Sequence, residues 1–405
     1  MTTPSKQAKN LEDPKEWGAE TQLVRGGTIR SEFGEVSEAI FMNSGFCYDS
    51  AQTAESRFNG VAPGYVYSRY LNPTLAMLEL RLALLEGAEK CCVVASGMAA
   101  VFASMMCFLK TGDKVVAGRV LFGSCHYIIT QILPRFGIRY ELVDATDLSA
   151  WQRALSEPTA AVFIESPANP NLELTDIQAV SDMAHIAGAK VIVDNIFATP
   201  LYQKPLELGA DIVVYSTTKH IDGQGRTLGG AVLGSADYIQ NILTPFHRHT
   251  GPALSPFNAW VILKGLETLP LRMQQHSKNA QALAVMLEAH PKLERTIYPA
   301  LSSHPQYALY QKQMSGGSNL IAFELCGGKD AAFAFMNALK IIDISNNLGD
   351  AKSLITHPAT TTHSNLPANE RIKIGISDGL LRLSVGLESI EDLTADIQNA
   401  LEIAT

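Results

Sequence analysis

Four apolar runs in this sequence end on residues able to do chemistry. CCVV gives way to ASGMAAVF at 95–102, and AVFIE to SPANP at 166–170. KVIVD closes on Asp194 before NIFATP, and DIVVY opens into STTKH, which carries Lys219. A turn of small residues opening a helix leaves backbone N–H groups without partners, which suits a phosphate. A carboxylate ending a strand can hold a cation, or can merely cap the next helix. A lysine there is either a solvated strand terminus or a nucleophilic amine held in a site. Each feature alone also has a plain structural reading, since small residues equally permit close packing.

Taken together they are a phosphate cradle at Ser96, Gly97 and Met98, the carboxylate of Asp194, and Lys219 twenty-five residues after it. Pyridoxal 5'-phosphate uses all three: a lysine to bind its aldehyde, a carboxylate to keep its pyridine nitrogen protonated, and donors for its phosphate. By two-residue alternation Ser216 and Thr218 share one side of the strand end and can turn hydroxyls toward that phosphate. Two other phosphate motifs are excluded. GQGRTLGG has Leu228 where a dinucleotide fingerprint needs its third glycine, and no G-x-x-x-x-G-K-[ST] loop occurs. His357 and His363 in HPATTTH are too irregularly spaced for a metal pair and read as structural.

The elements that must position these groups are legible. Seven short apolar runs recur from about residue 90: CCVV, KVVAG, YELVDA, AVFIE, KVIVD, DIVVY and GGAVLG. They do not alternate, as expected of strands covered on both faces. Between them LTDIQAVSDMAHIAG (174–188) reads as a helix, with a Thr175/Gln178 capping box and Gly188 as its stop. Strand–helix alternation implies an α/β fold with a mostly parallel sheet. Residues 1–75 show no strong period and read as an arm; 76–265 carry the sheet. Residues 256–290 are helical in pattern, with an interruption at Pro270, and 266–405 read as a smaller α+β domain with strands near 319–325 and 380–388.

Composition narrows the functional class. Apolar residues are 46% of the 405, charged residues 18%, and the net charge is −8, so there is no basic footprint for nucleic acid or an anionic membrane. The polar opening MTTPSKQAKNLEDPKEWGAE lacks a signal peptide's apolar core, and six scattered cysteines read as reduced thiols of a cytoplasmic protein, with no metal site.

SGMAA, ESPANP, VDNIFATP, YSTTKH and LRLSVGLE, in that order, resemble the Cys/Met-metabolism family of pyridoxal-phosphate enzymes. The resemblance runs from about residue 20 to the end and implies the aspartate-aminotransferase type of fold, with an arm, a seven-stranded cofactor domain and a smaller C-terminal domain. It implies that Lys219 is the covalent anchor and Asp194 the pyridinium partner. Ser96, Gly97, Met98, Ser216 and Thr218 would hold the phosphate, and Asn169 the ring hydroxyl. Tyr67 and Arg69 of YVYSRYLNPT would reach the phosphate of a neighbouring subunit, making a homodimer the minimal unit and a tetramer the expected assembly. Arg382 would clamp the substrate carboxylate. Phe122 in VLFGS stands where many members carry a ring-stacking tyrosine, which puts a mechanism needing that hydroxyl in doubt. Asn347 in NNLGDAKSL replaces a common serine, and KHIDGQGR departs from the commoner lysine–tyrosine pattern. These departures look most like the O-succinylhomoserine sulfhydrylase branch, which implies an O-acylhomoserine and sulfide as substrates. Arg226 is either a partner for the succinyl carboxylate or a turn arginine.

Overall fold

The computed structural model describes residues 14–404. The larger sheet contains β1 (Lys90–Val94), β2 (Lys114–Gly118), β3 (Arg139–Val143), β4 (Ala161–Glu165), β5 (Lys190–Asp194), β6 (Ile212–Tyr215) and β7 (Gly230–Gly234). Their order is β1-β7-β6-β5-β4-β2-β3, and only β7 runs against its neighbours. All seven expected runs are therefore strands.

The reason the runs do not alternate is visible in their packing. Cys92, Val94, Ile192, Ile212 and Val214 face one layer, with the helix Gly97–Met106 over them. Cys91, Val93, Val213 and Tyr215 face the other, under the helices Pro73–Glu86 and Pro256–Leu266. Each Val or Ile side chain buried this way contributes roughly 1.5–3 kcal/mol. A polar group is then tolerable only where the strands stop, which is where the site residues lie. Because β1 and β6 both oppose β7, they run the same way, so the ends of β1, β4, β5 and β6 share one edge.

The smaller sheet contains β8 (Leu293–Ile297), β9 (Leu320–Leu325), β10 (Asp343–Ile344), β11 (Leu354–Thr356) and β12 (Leu380–Ser384), in the order β10-β11-β12-β9-β8. Leu381 and Leu383 pack on the helices Leu269–Glu288, Gly328–Ala338 and Ile390–Ile403. Alternation turns Leu380, Arg382 and Ser384 to the opposite face, and Leu380 there packs with Val120, Phe197 and Leu348. Arg382 is thereby aimed at the edge where the large strands end.

Two local expectations change. The helix after β4 spans Ile177–Ile186 and is capped by Asp176, whose carboxylate accepts the Ala179 N–H at 3.1 Å. Thr175 cannot form the expected box, because it is buried and its backbone bonds Ser166 and Gln313. The arm is not wholly irregular: it holds helices Ala19–Arg25 and Ala51–Phe58, while its first thirteen residues lie outside the described ones. The interruption expected at Pro270 is present: one helix ends at Leu266, and Pro270 sits second in the next, Leu269–Glu288. Among the described residues, no helix is long and apolar enough to cross a membrane, and all six cysteines are unpaired.

Candidate active site

A cavity of about 400 Å³ opens where the larger sheet's strands end. Ser96, Gly97, Met98, Phe122, Asn169, Asp194, Ser216, Thr218, Lys219, Asn347 and Arg382 all line it. Eleven positions singled out in sequence, spread over 287 residues (96 to 382), thus meet at one site.

At one end Ser96 caps the helix Gly97–Met106 and accepts the Ala99 N–H at 3.1 Å. The N–H groups of Gly97 and Met98 lie in the first turn, where no intrahelical carbonyl can serve them. The cradle is built tightly: a Cβ on Gly97 would lie 2.6 Å from the Ser216 side chain, and one on Gly230 2.2 Å from the Ser96 carbonyl oxygen. The Ser216 hydroxyl is uncommitted among the described residues. Thr218 differs from expectation, because its hydroxyl donates to the Gly229 carbonyl at 3.2 Å and accepts the Gly229 N–H at 3.0 Å.

Asp194, on β5, is buried and accepts the Ile196 N–H at 3.1 Å. Burial pushes its carboxyl up to about 7, so a cation at this place is favoured. The sequence reading passed over its neighbour in the sheet, Glu165, which pairs with Asp194 across β4 and β5. One Glu165 oxygen accepts the Phe122 N–H and the other the Asn169 N–H, both at 2.8 Å. Burial, then the Asp194 charge, raises its carboxyl well above the usual range. A glutamate closing a β-strand beside a strand-end aspartate was the only available signal.

Lys219 donates from Nζ to the Asn347 side-chain oxygen at 2.5 Å. Burial and then the charge of Arg382 bring its amine down to about 8. Arg382 is 2% exposed, with Nη1 on Asn169 Oδ1 at 2.8 Å and Nη2 on the Asn346 carbonyl at 2.9 Å. Its Nε–H is buried with no partner, an orphaned donor of the kind a carboxylate relieves.

Arg226 does not line this cavity, and neither do Tyr67 and Arg69, which were expected at the phosphate of a neighbouring subunit. Tyr67 is 42% exposed, and the Arg69 guanidinium lies 5.5 Å from its ring centroid while bonding the Arg248 carbonyl. Arg226 wraps Asp222, donating from Nε at 2.9 Å and from its backbone N–H at 2.7 Å. His357 and His363 bond the Asp378 and Leu121 carbonyls.

Residues 20–402 match the family described as Cys/Met metabolism PLP-dependent enzyme. This chain belongs to that family. It is 55% identical over 382 residues to an O-succinylhomoserine sulfhydrylase of Mycobacterium tuberculosis (strain CDC 1551 / Oshkosh), covering 93% of this chain and 94% of the relative. A Pseudomonas aeruginosa protein of the same name is 47% identical, with 94% of each covered. The fold is similar to the crystal structure of cystathionine gamma synthase from Xanthomonas oryzae pv. oryzae, at TM-score 0.91 and 35% identity over 96% of this chain and 98% of the other. Pyridoxal phosphate, the family's cofactor, fits the residues present. Its lining brings together a free serine hydroxyl, unserved N–H groups at a helix start, a buried carboxylate, a lysine amine and an unpaired arginine N–H.

Proposed function

We propose that this chain is an O-succinylhomoserine sulfhydrylase, converting O-succinyl-L-homoserine and sulfide to L-homocysteine and succinate. The observation that carries the reading is the pairing of a Lys219 amine near neutrality with the unpaired Nε–H of Arg382, in the cavity that fits the cofactor. The names of the two relatives cited above support the choice of ester and thiol.

Bound pyridoxal phosphate acts as an electron sink that makes the substrate's Cα proton acidic. Arg382 takes the α-carboxylate with its planar fork, and so turns Cα toward Lys219. With the cofactor bound, the free Lys219 amine would take the proton from Cα, give it up again, and only then take one from Cβ. Its four-carbon stem lets a single group reach both positions, and the Asn347 oxygen holds it between transfers. At Cγ one C–O bond breaks as succinate leaves and one C–S bond forms with sulfide, so no oxidant is needed. Protons return to Cβ and Cα from the same amine. Phe122 can stack on the ring but has no hydroxyl to exchange a proton, which leaves Lys219 as the proton carrier and disfavours a γ-lyase.

The site roles of Ser96, Gly97, Met98, Asn169, Ser216 and Thr218 belong to the same reading, with Thr218 acting through the Gly229 turn. So does the division into an arm (1–75), a cofactor domain (76–265) and a small domain (266–405), which the two separately packed sheets support. A homodimer, further paired into a tetramer, would bring Tyr67 and Arg69 to a neighbouring phosphate. Phe33 and Val36, each 86% exposed, and Val61, 80% exposed, support burial of the arm against a second copy. Six unpaired cysteines suit the cytoplasm.

A steady-state comparison of succinyl with acetyl esters, and of sulfide with cysteine, tests the assignment. Highest kcat/KM with the succinyl ester and sulfide is expected. Preference for cysteine would make the protein a cystathionine γ-synthase, and for the acetyl ester an O-acetylhomoserine sulfhydrylase. Lys219→Ala should lose the lysine-bound cofactor's visible absorption and nearly all turnover.

A further inference from the structure

The residues after Lys219 set this chain apart from the commoner lysine–tyrosine pattern, yet His220 does not line the cavity. His220 is 1% exposed, and its ring reaches the first residue before β9 of the smaller sheet. Nε2 lies 2.7 Å from the Asn319 side-chain oxygen, at the start of β9. The Asn319 amide nitrogen donates to Ser384 Oγ at 3.2 Å and to the Val385 carbonyl at 2.9 Å. With both amide hydrogens committed, its oxygen accepts, which assigns the ring proton to Nε2 of His220. Burial keeps the ring neutral, aided by the nearby charge of Arg272.

The same knot seats the loop 346–350. Ser384 Oγ also accepts the Gly349 N–H at 2.9 Å. Gly349 has φ +72°, and a Cβ there would lie 2.6 Å from the His220 nitrogen and 2.9 Å from its ring. The loop thus rests flush on His220. On its other flank the loop offers the Asn347 side chain to Lys219 and the Asn346 and Asn347 carbonyls to Arg382. From the opposite side Arg272 donates to the His220 carbonyl at 2.7 Å and the Ile221 carbonyl at 3.2 Å, fixing the chain that follows the lysine.

We infer that His220 and Asn319 are positioning residues for the substrate. Their hydrogen bond sets the spacing between the Lys219 amine, on the larger sheet, and the Arg382 guanidinium, on the smaller one. Neither touches the reacting atoms; they act through the loop that both Lys219 and Arg382 grip. This rests on the acylhomoserine reading only for its choice of substrate, because capture of any α-amino acid carboxylate would be affected.

The test uses the cofactor-loaded protein and L-norvaline, a straight-chain amino acid with no γ-leaving group, whose binding is read from the cofactor's visible absorption. His220→Leu leaves the Asn319 oxygen buried and unpaired. The expected result is a weakening of norvaline binding and a rise in KM for the ester of roughly tenfold each. KM for sulfide and the affinity for pyridoxal phosphate should stay within about twofold, on the premise that both are set by contacts outside this knot. His220→Gln, which can place an amide N–H near the same oxygen, should recover most of the loss. Combining His220→Leu with Asn319→Ala should cost little more than either alone. Norvaline binding unchanged in His220→Leu, or kcat falling with KM and norvaline binding intact, would overturn the inference. Failure of His220→Gln to rescue would also overturn it. Should His220→Leu not fold by circular dichroism, Ser384→Ala, which removes the hydroxyl that accepts from both Gly349 and Asn319, must shift norvaline binding in the same direction. Turnover of the succinyl ester by the unaltered protein decides the functional reading separately.

Discussion

Glu165→Gln is a sharp perturbation because geometry leaves it no neutral outcome. Glu165 spends one oxygen on the Phe122 N–H and the other on the Asn169 N–H, each at 2.8 Å. A glutamine has one acceptor and one donor, so whichever way it turns, one backbone N–H faces an NH2 group. A buried polar group left unpaired costs about 1–3 kcal/mol. Without cofactor the two loops can relax apart and relieve part of this. A cofactor ring held by Phe122 and Asn169, as proposed above, would prevent this, so the cost would fall on the bound state. Charge acts in the same direction. Burial and the Asp194 charge raise the Glu165 carboxyl well above its usual range in the cofactor-free protein, and a bound pyridinium would favour its ionised form, an attraction that glutamine cannot supply. Both effects therefore weaken cofactor binding, by about 5- to 150-fold from the hydrogen bond alone. Equilibrium dialysis or quenching of protein fluorescence during titration with pyridoxal phosphate measures this directly. A dissociation constant within twofold of the unaltered protein's would refute the reasoning.

Other outcomes follow from the same contacts. Lys219 must be neutral to capture the cofactor aldehyde, and its amine sits at about 8 in the cofactor-free protein. Reconstitution should therefore accelerate as pH rises through about 8 and level off above it, a profile stopped-flow absorbance can follow. Arg382→Lys removes the planar fork, so KM for the ester should rise by about tenfold or more while cofactor binding changes little, read by steady-state kinetics. Tyr215→Phe strips the buried Glu86 carboxyl of its 2.5 Å donor and Asn195 of a 2.6 Å acceptor, and should cost about 1–3 kcal/mol in urea denaturation. Glu86 itself is raised to about 8 by burial, above its ordinary carboxyl value in the unfolded chain. The folded state then holds the extra proton, so its contribution to stability is full at low pH and is lost as pH rises toward 8. Glu86→Gln should flatten that part of the stability profile.

What the sequence revealed and what it hid have one physical source. A strand covered on both faces must be apolar along its length, so all seven large-sheet strands could be read, and the polar residues ending them stood out by contrast. Lys219, Asp194 and the turn at Ser96 were legible for that reason. Glu165 ends a strand in the same way but belongs to a motif where two prolines draw the eye, and its role appears only when β4 and β5 are set side by side. The commitment of Thr218 to Gly229 depends on a turn eleven residues long, beyond any alternation rule. His220 is hidden more deeply, since its partner lies 99 positions away in the other sheet. The residue type announced a departure, but only the packing gives it a consequence. The lysine's neighbour bonds Asn319 at the start of β9 and lies against Gly349, so any influence of position 220 on the cavity must pass through the packing between the two sheets.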